Sequence, residues 1–178
     1  MKQSEITSAH LEKAIRNIPD FPQPGIQFKD ITPVLADARL FRASIDLLTA
    51  NFRPGSVDAV VGIDARGFIF AAAAALKLEA GFVPVRKKGK LPYGTYEQSY
   101  DLEYGSNTIA IHTDAVQPGT RVLLIDDLLA TGGTASAAAA LLKKLGADIL
   151  ELCFLIELGL LKGREKLKGF PVRSLIVY

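Results

Sequence analysis

Cysteine is almost absent from this 178-residue chain, which contains only Cys153. An intrachain disulfide is therefore excluded, which fits a reducing compartment. The apolar run 150–156 around Cys153 predicts a buried core thiol rather than a nucleophile. Net charge is equally scarce: 21 Lys and Arg against 19 Asp and Glu leave +2, too little to argue for nucleic acid. Long hydrophobic runs are missing as well. The longest, 67–76, is half the length of a membrane span, and Met1–His10 has no apolar stretch of the kind a secretory signal needs. His10 and His112 show no ligand spacing to cysteine or acids, so no metal site built from protein side chains is expected. The expectation is a soluble cytoplasmic protein with neither nucleic acid nor membrane as partner.

What is present is ordinary globular composition, 49% hydrophobic and 22% charged, in a length that suits one domain spanning 1–178. Two segments share a plan. The β-branched run Val57–Ile63 leads through Asp64-Ala65-Arg66-Gly67 into an alanine-rich helix, Phe68–Glu79. Likewise Val122–Ile125 leads through Asp126–Gly133 into Thr134–Leu145. Apolar strands follow each, at Phe82–Val85 and Ile149–Ile156, giving the βαβ pattern of an α/β fold with a parallel sheet. Small alanines suit crossover helices that lie close to a sheet. Further strands are predicted at Thr108–His112 and, at an edge, Val172–Tyr178.

Between these, Lys87–Ser99 has no regular period and reads as a long mobile loop, of the kind that often forms a lid. Tyr100, Leu102 and Tyr104 then alternate with Asp101 and Glu103, predicting a short strand with its acids on one face. The N-terminal part differs in character. An amphipathic helix around Leu11–Ile18 is followed by Pro19, Pro22, Pro24 and Gly25, which suggests a small hood (about 1–35) over a core (about 36–178).

The most informative stretch runs from Val122 to Thr134. A buried strand ends in Asp126 and Asp127, and Thr131-Gly132-Gly133-Thr134 opens a helix. Free N–H groups and the dipole at a helix N-terminus attract an anion, and glycines let a phosphate approach the backbone. Asp126 and Asp127 are placed to accept hydrogen bonds from a diol such as ribose. Neither a Walker loop nor a G-x-G-x-x-G fingerprint is present. In the other loop, Arg66 offers a planar fork of donors that suits a pyrophosphate. Arg86-Lys87-Lys88-Gly89-Lys90 carries four positive charges in five residues; such a run is a solvated face or an anion site.

The block Asp126–Thr134 resembles the phosphoribosyl-pyrophosphate motif of the type I phosphoribosyltransferases, in the version found in the adenine-specific branch of that family. The resemblance extends through Asp20–Gly25, Gly62–Phe68, Arg86–Pro92, Tyr100–Gly105 and Leu161–Leu167, covering the chain from about Ile18 onwards. It implies a mainly parallel five-stranded sheet flanked by helices, an N-terminal hood for the base and a flexible lid. The implied reaction transfers phosphoribose from 5-phospho-α-D-ribose 1-diphosphate (PRPP) to adenine, giving AMP and pyrophosphate, in a homodimer using Mg²⁺ held mainly by substrate and water.

The residue roles implied are Asp126 and Asp127 for the ribose, and Ala130, Thr131, Gly132, Gly133 and Thr134 for the 5-phosphate. Asp64, Ala65, Arg66, Arg86, Lys87 and Lys90 fall to pyrophosphate, with Lys88 reaching it across a dimer interface. Phe28 stacks on adenine while backbone groups of Gln27 and Lys29 read its edge, although the family more often has an apolar residue and an arginine at those two positions. Glu103 transfers the purine proton. The alternatives are another base at the same site, or a non-catalytic regulator that senses PRPP and binds nucleic acid.

Overall fold

The computed structural model describes residues 6–101 and 106–178, and the chain divides into two compact units, Met1–Leu47 and Leu48–Tyr178. In the first, helix α1 (Ser8–Ala14) starts after Thr7, whose backbone N–H donates to His10 Nδ1 at 3.1 Å. The helix predicted around Leu11–Ile18 thus begins and ends earlier than expected. Ile15 turns extended, and β1 (Arg16–Ile18) pairs antiparallel with β2 (Phe28–Asp30), a ladder that claims the backbone groups a longer helix would need. Arg16 fastens the pair, its Nε donating to Asp30 Oδ2 at 2.9 Å and its Nη2 to Thr32 Oγ1 at 2.9 Å. Helices α2 (Thr32–Ala36) and α3 (Ala38–Leu48) follow.

The second unit is built on β3 (Ala59–Ile63), α4 (Gly67–Leu78), β4 (Gly81–Lys87), β5 (Thr95–Asp101), β6 (Ser106–His112), β7 (Arg121–Leu129), α5 (Gly133–Lys144), β8 (Asp148–Glu157) and β9 (Val172–Val177). Among the described residues its sheet has the order β5-β6-β4-β3-β7-β8-β9. The five strands β4, β3, β7, β8 and β9 are parallel, and β6 and β5 join antiparallel beside β4. The predicted five-stranded parallel core is present, with β9 at its edge.

Alternate residues on these strands serve two cores. Val61, Ile63, Val83, Val85, Leu124 and Phe154 gather with Ala135, Ala138 and Leu141 of α5. On the other face Gly62 lies so close to α4 that a Cβ there would meet Ala71 Cβ at 2.7 Å. Ala71 and Ala74 are fully buried, so small side chains do set the helix close to the sheet.

Three further expectations need correction. The loop predicted over Lys87–Ser99 ends early, because Thr95–Asp101 is strand β5, paired from Thr95↔His112 to Asp101↔Ser106. Its side chains are only partly covered, so no hydrophobic alternation announces it. The strand predicted at Tyr100–Tyr104 therefore begins earlier, and residues 102–105, including Glu103, lie outside the described residues. Strand β7 also runs four residues further than expected. It pairs with β8 as far as Leu129↔Glu157, so Asp126 and Asp127 are strand residues rather than loop residues.

Candidate active site

Strand order fixes where a site can form. From β3 the chain crosses by α4 to β4 on one side, whereas from β7 it crosses by α5 to β8 on the other. The crevice beyond the carboxyl ends of two such neighbouring strands is where open α/β sheets bind ligands. Here a cavity of about 360 Å³ opens there, lined by residues that follow β3, by β7 and the start of α5, and by Arg86, Lys87 and Tyr100.

The turn after β3 is Asp64-Ala65-Arg66, with a cis peptide between Asp64 and Ala65. Asp64 N–H donates to Val85 O at 2.9 Å, tying the turn to β4. Arg66 crosses to the neighbouring strand, its Nη2 standing 2.7 Å from Asp127 Oδ2. Arg86 does the same from β4: its Nε donates to Asp64 Oδ2 at 3.0 Å and its Nη1 to Lys90 O at 3.0 Å. The guanidinium forks suggested by the sequence are thus held in place by carboxylates of the same site. Lys88 is engaged with Glu97 at 2.7 Å.

Asp127 is buried, and Asp126 is enclosed by protein apart from its share of the cavity wall. Burial, followed by the adjacent charge of Asp127, pushes the Asp126 carboxyl well above the usual carboxylate range. Burial raises Asp127 too, against the pull of Arg66. Gly67 is required here, since a Cβ on it would run into Asp126 Oδ1. Beyond Leu129 the backbone turns at Gly132, whose φ of +76° suits glycine, and α5 begins with Ser136 N–H donating to Gly132 O at 2.9 Å.

Of the sequence-derived candidates, Asp64, Ala65, Arg66, Arg86, Lys87, Asp126, Asp127, Ala130 and Thr134 line this one cavity. Lys90, Thr131 and Gly132 are not in its wall, and Gly133 lines a second cavity of about 220 Å³ with Ser136 and Lys166. Tyr100 lines both cavities and was given no role from sequence; its place beside the charged loop was the available signal. In the first unit, Phe28 is half-buried and meets Phe21 edge-on, ring centres 5.1 Å apart. Gln27 Oε1 accepts from Asn17 Nδ2 at 2.7 Å, and Lys29 lies opposite Asn17 in the β1–β2 register. Cys153 is a buried thiol, as expected, donating to Glu151 Oε2 at 2.9 Å. Among the described residues no three His, Cys, Asp or Glu side chains form a group that could hold a metal ion.

Comparison with known proteins matches this geometry. The phosphoribosyl transferase domain profile covers residues 32–170. The adenine phosphoribosyltransferase of Acidothermus cellulolyticus is 57% identical, over 97% of this chain and 95% of its own. The crystal structure of the Rhodothermus marinus adenine phosphoribosyltransferase is 51% identical, covers 96% of this chain and 98% of its own, and superposes with a TM-score of 0.91. The Saccharomyces cerevisiae adenine phosphoribosyltransferase, crystallised with an imino-altritol bisphosphate and adenine, is 41% identical with a TM-score of 0.89, over 94% of this chain and 97% of its own. With its fold, its charged crevice and these relatives in agreement, the chain belongs to the phosphoribosyl transferase domain family, among the adenine phosphoribosyltransferases.

Proposed function

We propose that the described residues divide the phosphoribosyl transfer among three subsites. The reaction takes PRPP and adenine to AMP and pyrophosphate, the step of purine salvage. Asp126 and Asp127 accept hydrogen bonds from the ribose hydroxyls. Ala130–Thr134 cradle the 5-phosphate with backbone N–H groups and threonine hydroxyls. Asp64, Ala65, Arg66, Arg86, Lys87 and Lys90 surround the pyrophosphate. The observation that carries this reading is the Arg66–Asp127 ion pair, which joins the loop after β3 to strand β7 in the wall of the cavity.

The bond from the anomeric carbon to pyrophosphate breaks as positive charge builds on the ribose, and an adenine ring nitrogen attacks the opposite face. Positioning and stabilisation of the departing anion by Arg66 and Arg86 supply the catalysis. Two adjacent carboxyls that resist a second negative charge suit a donor arriving with a cation. Mg²⁺, held mainly by the donor and its own waters, would supply neutralising charge at the pyrophosphate when bound.

Phe28 stacks on adenine, and backbone groups of Gln27 and Lys29 read its edge. Glu103 takes the purine proton as the bond to ribose forms. A homodimer, in which exposed Ile69, Leu76 and Phe82 are covered, completes the reading, as does a cytoplasmic setting that fits the buried Cys153. No helix among the described residues is long and apolar enough to cross a membrane.

AMP formation from adenine and PRPP, with and without Mg²⁺ and against hypoxanthine and guanine, tests the reaction. A site that hydrogen-bonds an exocyclic amine rejects the oxo-purines by roughly 10⁴–10⁵ in kcat/KM. Comparable use of hypoxanthine would overturn the base assignment. Glu103→Gln is expected to slow single-turnover chemistry by about 10²–10⁴, with Asp101→Asn as control.

A further inference from the structure

The segment after β8 carries a run, Leu161–Leu167, to which the reaction above assigns nothing. Leu158 N–H donates to Leu129 O at 2.9 Å, and two 3-10 turns follow, Gly159–Leu161 and Gly163–Leu167. They are separated by Lys162, in the left-handed region at φ +53°. This brings Gly163 against the loop that opens α5, with no side chain between the two backbones. A Cβ on Gly132 would run into Gly163 O and stand 3.1 Å from its Cα. Conversely, a Cβ on Gly163 would run into Ala130 O and stand 3.0 Å from both Gly132 N and Leu129 Cδ1. Gly163 has no left-handed φ of its own, so contact alone demands a glycine there.

Arg164 holds this turn in place. Its Nε donates to both carboxylate oxygens of Glu157, at 2.8 and 2.9 Å, and its Nη1 donates to Val172 O at 2.9 Å. Ser174 Oγ donates to Glu157 Oε2 at 2.7 Å. Glu157 is buried at the end of β8, opposite Leu129. Burial pushes its carboxyl up, but the hydrogen bonds from Arg164 and Ser174 win and hold it below the usual range. On the far side, Leu167 is buried in the core that α5 shares. The turn is therefore anchored to β8, β9 and the core, and presents bare backbone to the Ala130–Gly132 loop.

We propose that Gly163 and Arg164 are positioning residues for the 5-phosphate subsite, forming the wall that sets the Ala130–Gly133 backbone. They touch no substrate. They act by fixing N–H groups that a phosphate must find already aligned, where a displacement near 1 Å costs about 10²-fold in an oriented reaction. The proposal rests on the reading of Ala130–Thr134 as the phosphate cradle.

Calorimetric titration with ribose 5-phosphate and, separately, with pyrophosphate distinguishes this role from a merely structural one. Gly163→Ala is expected to weaken ribose 5-phosphate about tenfold or more through misalignment of the cradle, while pyrophosphate, held by Arg66 and Arg86, stays within about twofold. Arg164→Met follows in the same direction, and Arg164→Lys, which keeps the charge but not the fork, falls between it and the parent. In steady state the PRPP KM rises in these variants more than kcat falls. Thr134→Val serves as the cradle control. If it loses ribose 5-phosphate while the Gly163 and Arg164 variants do not, the cradle stands and the proposal falls. If it too binds ribose 5-phosphate as the parent does, the cradle reading falls and takes the proposal with it. Equal weakening of both ligands in the Arg164 variants reduces the turn to a stabilising element and overturns the proposal, and those variants carry the test should Gly163→Ala not fold.

Discussion

The two crossover loops of the second unit start from the same plan and end with different means of meeting an anion. After β3 the loop presents side chains: Arg66 reaches Asp127, and Asp64 holds Arg86. After β7 the loop presents backbone, with Gly132 at φ +76° opening α5 and Gly163 pressed behind it. The first loop also depends on the strand that leads to the second, because the Arg66 charge faces the carboxyl pair Asp126 and Asp127 within β7. The difference suits the two parts of the donor. In the proposed reading, the departing pyrophosphate, which gains charge during the reaction, is met by guanidinium forks. A 5-phosphate that stays put needs only a fixed set of N–H groups.

The largest effect should come from the side-chain loop. Arg66→Ala removes the compensating charge from Asp127 and, in the proposed reading, the fork that meets pyrophosphate, and kcat/KM is expected to fall about 10²–10³-fold. Arg66→Lys restores charge without the planar fork and should recover part of that loss. Steady-state kinetics with PRPP as the varied substrate reads both. An Arg66→Ala enzyme that stays within about tenfold of the parent would break the contrast, because one donor of this kind is worth more than that.

The backbone loop should respond to a single methyl group. Gly132→Ala places a Cβ in the left-handed region, at about 1–2 kcal/mol, and drives it into the Gly163 carbonyl. The expected outcome is a lower melting temperature together with weaker AMP binding, while adenosine, which lacks the phosphate, binds as before. If AMP and adenosine weaken equally, the loop is not reading phosphate.

Much of this was legible in the sequence, for a physical reason. Buried parallel strands such as Val60–Ile63 and Leu123–Ile125 are continuous apolar runs, and the Asp-Asp and Gly-Gly pairs that follow the second have few structural uses together. Strand β5 was not legible, since it is recruited by backbone pairing with β6 and buries too little of its own surface to show alternation. The ion pairs Arg66–Asp127 and Arg86–Asp64 were hidden for another reason. Their partners lie 61 and 22 positions apart, and only the strand order β4-β3-β7 makes them neighbours. The Gly163–Gly132 contact is of that kind too, being a fact about two backbones and not about residue types.

The smallest effect is the most discriminating, because stability and activity should move in opposite directions. Asp126 lies within β7, its carboxyl raised by burial and by its neighbour Asp127, so ionising it works against folding at neutral pH. The sign follows from proton binding. Between the ordinary carboxylate pKa of about 3.8 and the raised value in the folded protein, the folded state holds a proton that the unfolded state has lost. Stability therefore declines as pH rises through that window, and the whole loss is present above it. Asn at 126 keeps an oxygen that can accept from the Asp127 N–H, the 2.9 Å bond seen here, and carries no charge. Asp126→Asn is expected to match the parent in melting temperature near pH 4 and to exceed it increasingly towards pH 8, by about 2–4 °C for each kcal/mol relieved in a chain of this size. Its kcat/KM should fall over the same range, for want of the carboxylate proposed to hold the ribose. A melting temperature that drops at pH 8 would mean that the Asp126 carboxylate is already satisfied by its protein neighbours, and that β7 bears no electrostatic strain for the side-chain loop to relieve.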